Sequence, residues 1–416
     1  MIASTVSPRW GSEGAVGWNW LAKVPSEWAT TLVTSRECAD EVRWGLKNGH
    51  KVPTLDHLAS AEKSWRAQPQ NKFLARINEW GKFRYNLKRL RDTAQQLIKA
   101  SEFGVIHQTT VASWRAGMPF HSFGIPTVWG PIGGGEPFPW RYALETSFVN
   151  WIFEGGRSVS SVAASFAPSV VSAVRKVDVI IVTNRQTEKK LRSLGRIKPI
   201  FRQPMVITRR RFDAIRKEAT TKSQGVFKII SGGSVEGRKG FALTIKALSK
   251  LKHRGIHADF TITGHGMELP KLRDLARKCG VDDRVHFEHG LDDTAYIRKL
   301  AESHIFCFPS LRDNSPVTLL EAMAAECVPI VLNNGGPSET VDSSCGFVLP
   351  LESPEQTVGR IADAIAQMSC DKTHRLALAL AAQIKVENNY LDDRISDVMS
   401  DAYNTAMKLR SQSDLL

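Results

Sequence analysis

From Phe227 onward the chain repeats one pattern that leaves few folds open: a short β-rich run, a turn, then a helical stretch. The runs are 227–230, 259–263, 284–288, 305–308 and 328–332, and helical spacing fills 241–253, 268–279, 293–302 and 317–325 between them. Gly, Pro or Ser closes most runs: Ser231-Gly232-Gly233, Gly264-His265-Gly266, His289-Gly290, Pro309-Ser310 and Asn333-Asn334-Gly335-Gly336-Pro337. This alternation predicts a parallel, doubly wound α/β sheet. Ligands of such sheets bind beyond the carboxyl ends of the strands, which is where these glycines fall.

The first half carries a fainter version of the same pattern. Residues 2–6 read as a strand, followed by Trp10-Gly11-Ser12-Glu13-Gly14 and a helix near 15–23, with further runs at 31–34, 103–107, 126–129 and 177–182. A length of 416 residues suits two or three domains. The expected fold class is therefore α/β, with two Rossmann-like domains. Residues 185–222 hold 13 basic side chains against three acidic, with Pro199 and Pro204 among them, and mark the junction. The expected division is 1–203 for one domain and 204–385 for the other. A helix over 386–416 then packs back on the first.

Composition narrows the function. Hydrophobic residues at 42% and charged ones at 24% exclude collagen-like, disordered and coiled-coil chains. No apolar run approaches the ~18 residues of a spanning helix, and the opening residues predict no signal peptide. Six cysteines without a CxxC pair predict reduced thiols in a cytoplasmic protein rather than a disulfide framework or zinc site. Of the net charge of +14, residues 1–200 contribute +12, and all 11 tryptophans lie between Trp10 and Trp151. A basic, Trp-rich half suits an anionic membrane, sugar rings or nucleic acid. Nucleic acid ranks lowest, because no recognised nucleic-acid motif accompanies the charge.

The sharpest constellation is Pro309-Ser310-Leu311-Arg312-Asp313-Asn314-Ser315-Pro316-Val317-Thr318-Leu319-Leu320-Glu321. It sets one carboxylate in a strand-end loop and another a turn into the next helix. The free N–H groups near Val317 can take a phosphate, and the acids can accept hydrogen bonds from sugar hydroxyls. The plain alternative has Asp313 capping the helix and Glu321 on a solvated face. Gly237-Arg238-Lys239-Gly240 sets two cations at another helix start, where they clamp a diphosphate or form an ordinary basic turn. Gly264-His265-Gly266 and His289-Gly290-Leu291 are adjacent strand ends on which a nucleobase can rest.

In this order the motifs resemble the nucleotide-sugar domain of glycosyltransferase family four, whose fold is GT-B. The likeness covers about 225–350 and includes Gly335-Gly336-Pro337-Ser338-Glu339. More loosely, Gly11, Ser12, Glu13 and Gly14 resemble the family's first Gly-rich loop, on the acceptor side, and Trp129–Gly135 is similar to a segment of some bacterial members. His107 matches a histidine that faces the transferred sugar, against the alternative of a buried core histidine. Asp313 stands where the family usually has Glu, and Ser234 where it has Arg, five residues before Lys239.

The resemblance implies two Rossmann-like domains facing across a cleft, 1–203 binding the acceptor and 204–385 the nucleotide sugar, and retaining transfer from a UDP- or GDP-type sugar with no metal and no cofactor. Lys239 and the helix start at Ser315, Pro316, Val317 and Thr318 would neutralise the leaving diphosphate. Glu321 would hold the ribose, Asp313 the sugar hydroxyls, and Gly232, Gly233, Arg238, Gly264, Gly290 and Leu291 the rest of the donor. His107 would orient the sugar through its ring or its backbone carbonyl.

Residues 72–99 carry eight basic side chains against two acidic, with apolar residues at 73, 77, 80, 83, 87 and 90. This spacing makes an amphipathic helix, read either as a peripheral contact with an anionic membrane or as a packed helix with a solvated basic face. The functional expectation is a hexosyltransferase of surface polysaccharide synthesis acting on a glycan or lipid-linked oligosaccharide at the inner face of the membrane. The alternatives are a catalytically weak or inactive sugar- or membrane-binding relative and a nucleotide-sugar epimerase of the same fold.

Overall fold

The computed structural model describes residues 1–11, 13–61, 72–219 and 225–413, without the side chains of 72–84. The chain divides into two compact units. One comprises Met1–Gly135, Ser160–Pro204 and Asp392–Leu416, the other Glu136–Val159 and Met205–Leu391.

The strands of the first unit are β1 (Ile2–Ala3), β2 (Thr30–Ser35), β3 (Leu55–Ala61), β4 (Ile106–Gln108), β5 (Thr127–Ile132), β6 (Val179–Val182) and β7 (Ile200–Arg202). They pair in the order β3-β2-β1-β4-β5-β6-β7, parallel throughout. Those of the second are β8 (Phe227–Gly232), β9 (Ala258–Thr263), β10 (Val285–Glu288), β11 (Ile305–Phe308), β12 (Val328–Leu332) and β13 (Phe347–Leu349). Their order is β10-β9-β8-β11-β12-β13, also parallel. In each sheet the order reverses beside the first strand, between β1 and β4 and between β8 and β11. That reversal is the topological switch point of a doubly wound sheet.

Strands covered on both faces must be apolar on both, and β11 and β12 are buried at every position. Alternate side chains feed opposite cores: Ile229, Cys307 and Ile330 join one, while Ile230, Phe306, Phe308 and Val331 join the other. The helices expected in this unit are Phe241–His253, Leu269–Lys278, Asp293–Glu302 and Val317–Ala324. Three strands escaped the sequence pattern. Leu55–Ala61 and Phe347–Leu349 lack a strong β-branched run, and Ile200–Arg202 follows Pro199 inside the basic stretch.

Two boundaries differ from expectation. Residues 136–159 stand before the junction in sequence yet belong to the second unit. Phe138 and Tyr142 are buried in its core, and such side chains contribute ~1.5–3 kcal/mol each on burial. The Tyr142 hydroxyl donates to the Glu352 carbonyl at 2.9 Å and lies 2.7 Å from Thr357 Oγ1. The tail is two helices, Lys372–Asn389 in the second unit and Arg394–Ser413 in the first, so the return begins at Asp392 rather than 386. Arg394–Ser413 packs on β5 and β6.

The basic helix runs over Lys72–Ala100. Its Leu87 and Leu90 are buried in the first unit's core, so that part of the apolar stripe packs inward, while Lys88 and Arg89 are exposed. The side chains at 73, 77, 80 and 83 lie outside the described residues. Among the described residues no helix is long and apolar enough to cross a membrane.

Candidate active site

The carboxyl ends of β8, β9 and β10 enclose a pocket of about 390 Å³. Gly233, Ser234, Thr263, Gly264, His265, Glu288, His289, Gly290, Leu291, Tyr296 and Thr318 line it. One of its glycines is required by geometry. Gly264 has φ +132°, and a Cβ there would collide with the Gly233 carbonyl, so no side chain fits where β8 and β9 meet the pocket. Gly232 is packed behind, against Thr263 Oγ1. Of the residues expected to hold a donor, Gly233, Gly264, Gly290, Leu291 and Thr318 are brought together here.

Thr318 lies in the first turn of Val317–Ala324. Pro316 precedes this helix, and no side chain caps it, which leaves its N-terminal N–H groups and positive dipole end toward the pocket side. The loop before it is held by Ser315 Oγ, which accepts from the Met205 amide at 2.9 Å. Asp313 therefore does not act as the cap.

Asp313 and Lys239 form a buried ion pair next to the pocket. Lys239 lies in a single turn, Gly237–Lys239, ended by Gly240 in the left-handed region, where a Cβ would strike the Pro309 carbonyl. The Lys239 ammonium sits 4.8 Å from the Phe308 ring centroid and 3.8 Å from where a Gly233 side chain would begin. Burial lowers Lys239 and the Asp313 charge opposes that shift. Burial also raises Asp313, but Lys239, Arg238 and Arg312 together outweigh it and hold the carboxyl below the usual range.

Arg238 does not line the pocket. Its guanidinium donates to Glu236 at 2.6 Å, to the Arg312 carbonyl at 3.1 Å and to Asp313 at 3.4 Å. It thus neutralises carboxylates instead of replacing the cation absent at Ser234. Arg312 itself is clamped by Glu154 through two bonds of 2.8 and 2.7 Å.

Glu321 is buried rather than on a solvated face. Arg211 Nε donates to it at 2.8 Å and the same guanidinium reaches Asp293 at 2.5 Å. Arg211 is placed by its own helix, Arg209–Glu218, whose cap Thr208 accepts from the Arg211 amide at 3.1 Å. Burial raises the Glu321 carboxyl and Arg211 pulls it partly back. The Tyr296 hydroxyl lies buried close to Glu321 without forming a geometrically sound hydrogen bond. Burial and that carboxylate push it well above its ordinary range.

Arg211, Tyr296, Thr263 and Glu288 are the members that sequence reasoning missed. Arg211 lies 110 residues from its partner, and none of the four sits in a motif.

The first unit's candidates are arranged differently. His107 is in the interior of β4's surroundings, with Nε2 2.8 Å from the Gly130 carbonyl and Nδ1 2.8 Å from the Tyr403 hydroxyl. The carbonyl can only accept, so Nε2 carries the proton and Nδ1 accepts from Tyr403. Burial drives the imidazole down to about 3. Both nitrogens are used and Trp20 packs edge-on at 5.5 Å, so the ring is a core histidine and has no atom to offer a sugar. Glu13 Oε1 accepts from the Ala112 amide at 2.7 Å, a structural role at the start of helix Glu13–Ala22. Gly14 is buried and Gly11 exposed; Ser12 lies outside the described residues.

Residues 213–380 match the family model described as glycosyl transferases group 1. Over 172 residues the chain is 30% identical to the GDP-mannose-dependent alpha-(1-6)-phosphatidylinositol monomannoside mannosyltransferase of Mycobacterium tuberculosis, covering 39% of this chain and 44% of that one. Over 368 residues it is 23% identical to the putative colanic acid biosynthesis glycosyltransferase WcaL of Escherichia coli, covering 83% and 86%. The chain thus spans less than half the length of the mycobacterial relative. Sucrose-phosphate synthase from Thermosynechococcus elongatus shares the fold with a TM-score of 0.66 at 15% identity, over 98% of this chain and 99% of that one. Two parallel, helix-covered sheets of this kind are the GT-B fold.

Proposed function

We propose that the chain, whose residues 213–380 match the group 1 glycosyl transferases, moves a hexose from a UDP- or GDP-type sugar to a glycan or lipid-linked acceptor. The observation that carries this reading is the pocket at β8, β9 and β10, with glycine walls, an uncapped helix start at Thr318 and the Lys239 ammonium beside Gly233. Glycine lets a nucleotide lie against the backbone, and the two positive features suit a diphosphate. The name of the mycobacterial relative supports a nucleotide-sugar donor and a lipid acceptor, and that of WcaL supports a role in surface polysaccharide synthesis.

In this mechanism the donor diphosphate lies against the start of Val317–Ala324, with Lys239 turning toward it from Asp313. Glu321, already poised by Arg211, accepts from the ribose hydroxyls. Asp313, released from Lys239, accepts from the sugar hydroxyls. The acceptor hydroxyl attacks the anomeric carbon from the face the diphosphate leaves. The carbon–oxygen bond to phosphate breaks, the new glycosidic bond forms, and the acceptor proton passes to the departing phosphate oxygen, so configuration is retained. Charge builds mainly on the leaving diphosphate, and Lys239 with the helix dipole stabilises it in place of a metal ion. The reaction runs in the cytoplasm at the inner face of the membrane.

Calorimetric titration with UDP, GDP and ADP tests the site. Micromolar binding of one nucleotide, lost in Lys239→Ala and in Glu321→Ala, is the expected result. Absence of binding by the folded protein overturns the donor site and leaves a non-catalytic relative, the reading that Ser234 in place of a cation favours.

A further inference from the structure

At the back of the pocket a donor and an acceptor lie close together without serving each other. The donor is Tyr296, in the first turn of Asp293–Glu302, whose cap Asp292 accepts from the Ala295 amide at 2.7 Å. Ile297 and Leu300 anchor that helix in the second unit's core, and the Tyr296 ring packs against the same core. Its hydroxyl is thereby carried to the pocket wall, 3.8 Å from where a Gly232 side chain would begin. There it is buried and, among the described residues, has no hydrogen-bond partner. The acceptor is the neighbouring Glu321. Arg211 Nε takes Oε1, which leaves Oε2 without a donor among the described residues.

A buried hydroxyl that forgoes its hydrogen bond is costly, and native proteins seldom keep one without a use. What completes this pair must accept from the phenol and donate to the carboxylate. An ammonium or guanidinium group only donates and an ionised phosphate only accepts, whereas an alcohol does both. The pair also stands where a sugar would. Glu321 follows Thr318 by three residues, about 4.5 Å further along the helix axis, the reach of the ribose next to a phosphate held at the helix start. We infer that Tyr296 selects ribonucleotides: its hydroxyl donates to one ribose hydroxyl, which in turn donates to Glu321 Oε2. The carboxylate alone accepts from a sugar over a wide range of angles, and the phenol, fixed by its packed ring, sets the direction. The inference rests on the donor reading of this pocket and adds to it the side chain that reads the ribose.

Calorimetric titration of the full chain with UDP, GDP and ADP, then with the 2′-deoxy and 3′-deoxy forms of the one that binds, tests it. The unmodified protein is expected to bind one deoxy form about tenfold or more weakly than the ribonucleotide. Tyr296→Phe is expected to bind the ribonucleotide about tenfold more weakly, while its affinity for that deoxy form changes by less than about twofold. Its thermal midpoint without nucleotide should equal or exceed that of the unmodified protein, because the substitution removes an unpaired buried group. Folded protein that binds no nucleotide overturns the donor site, and this inference with it. Three results overturn the inference and leave the donor site standing: equal affinity of the unmodified protein for the ribonucleotide and both deoxy forms, normal ribonucleotide binding by Tyr296→Phe, or an equal loss of ribonucleotide and deoxy forms in that variant. A lowered thermal midpoint shows the hydroxyl already bonded in the free protein and likewise overturns it.

Discussion

Arg211→Met removes the cation bonded to Glu321 while keeping most of the side chain's volume. Glu321 is nine-tenths buried, and its contact with Arg211 Nε is 2.8 Å. Stranding one member of a buried ion pair costs about 3–5 kcal/mol. The Arg211 side chain is one-fifth exposed, and solvent screens part of the pair, so a loss of about 2–4 kcal/mol is expected at neutral pH. The loss depends on pH in a definite direction. Burial already holds the folded-state carboxyl above its unfolded value. Between those two values the native state binds more protons than the unfolded chain, so stability falls as pH rises through the window. Without Arg211 the folded value climbs further, and the window extends upward.

Urea unfolding of the protein and the variant should therefore show a larger deficit near pH 8 than near pH 5, by about 1 kcal/mol or more. Adding Glu321→Gln should recover most of the deficit, because the stranded charge is gone. A deficit below about 0.5 kcal/mol near pH 8, one that does not change with pH, or a double variant no better than Arg211→Met refutes the reasoning.

Gly264→Ala should abolish nucleotide binding in calorimetry and lower stability by about 1–3 kcal/mol, because its φ of +132° and the facing Gly233 carbonyl leave no room for a methyl group. Lys239→Met should weaken a nucleoside diphosphate by about tenfold to a hundredfold while sparing the matching nucleoside, the ratio reporting a phosphate-specific contact. Tyr403→Phe should cost about 1–2 kcal/mol by unpairing His107 Nδ1, read by chemical denaturation, with nucleotide affinity unchanged. Because the folded His107 titrates near 3, well below its unfolded value, the unfolded chain takes up the extra proton. Stability should then fall on acidification below about pH 6.5, by up to about 1.4 kcal/mol per pH unit from this group. A proton-NMR titration that finds His107 charging near pH 6 contradicts that placement.

The amino-acid sequence by itself determined five of the second unit's six strands, the helices between them and the glycines of its pocket. Those signals are local: a buried parallel strand must be apolar at successive residues, and Gly264 is dictated by its own φ. Even the two acids of the pocket region were legible, as a spacing of eight residues, although what they touch was not. Tertiary structure decided the partners. Arg211 meets Glu321 and Lys239 meets Asp313 across 110 and 74 residues, and residue types alone do not say which cation reaches which carboxylate. It turned Arg238 toward two carboxylates and a carbonyl, away from the pocket. It made His107 a core histidine, because Tyr403 returns on a helix 296 residues later to fill its second nitrogen. It also moved 136–159 into the second unit, where Phe138 and Tyr142 find a core to fill. Periodicity marks which residues of a helix share a face, but only the packed structure shows which face is buried, and in Phe148–Phe166 it is the one that carries Asn150 and Glu154.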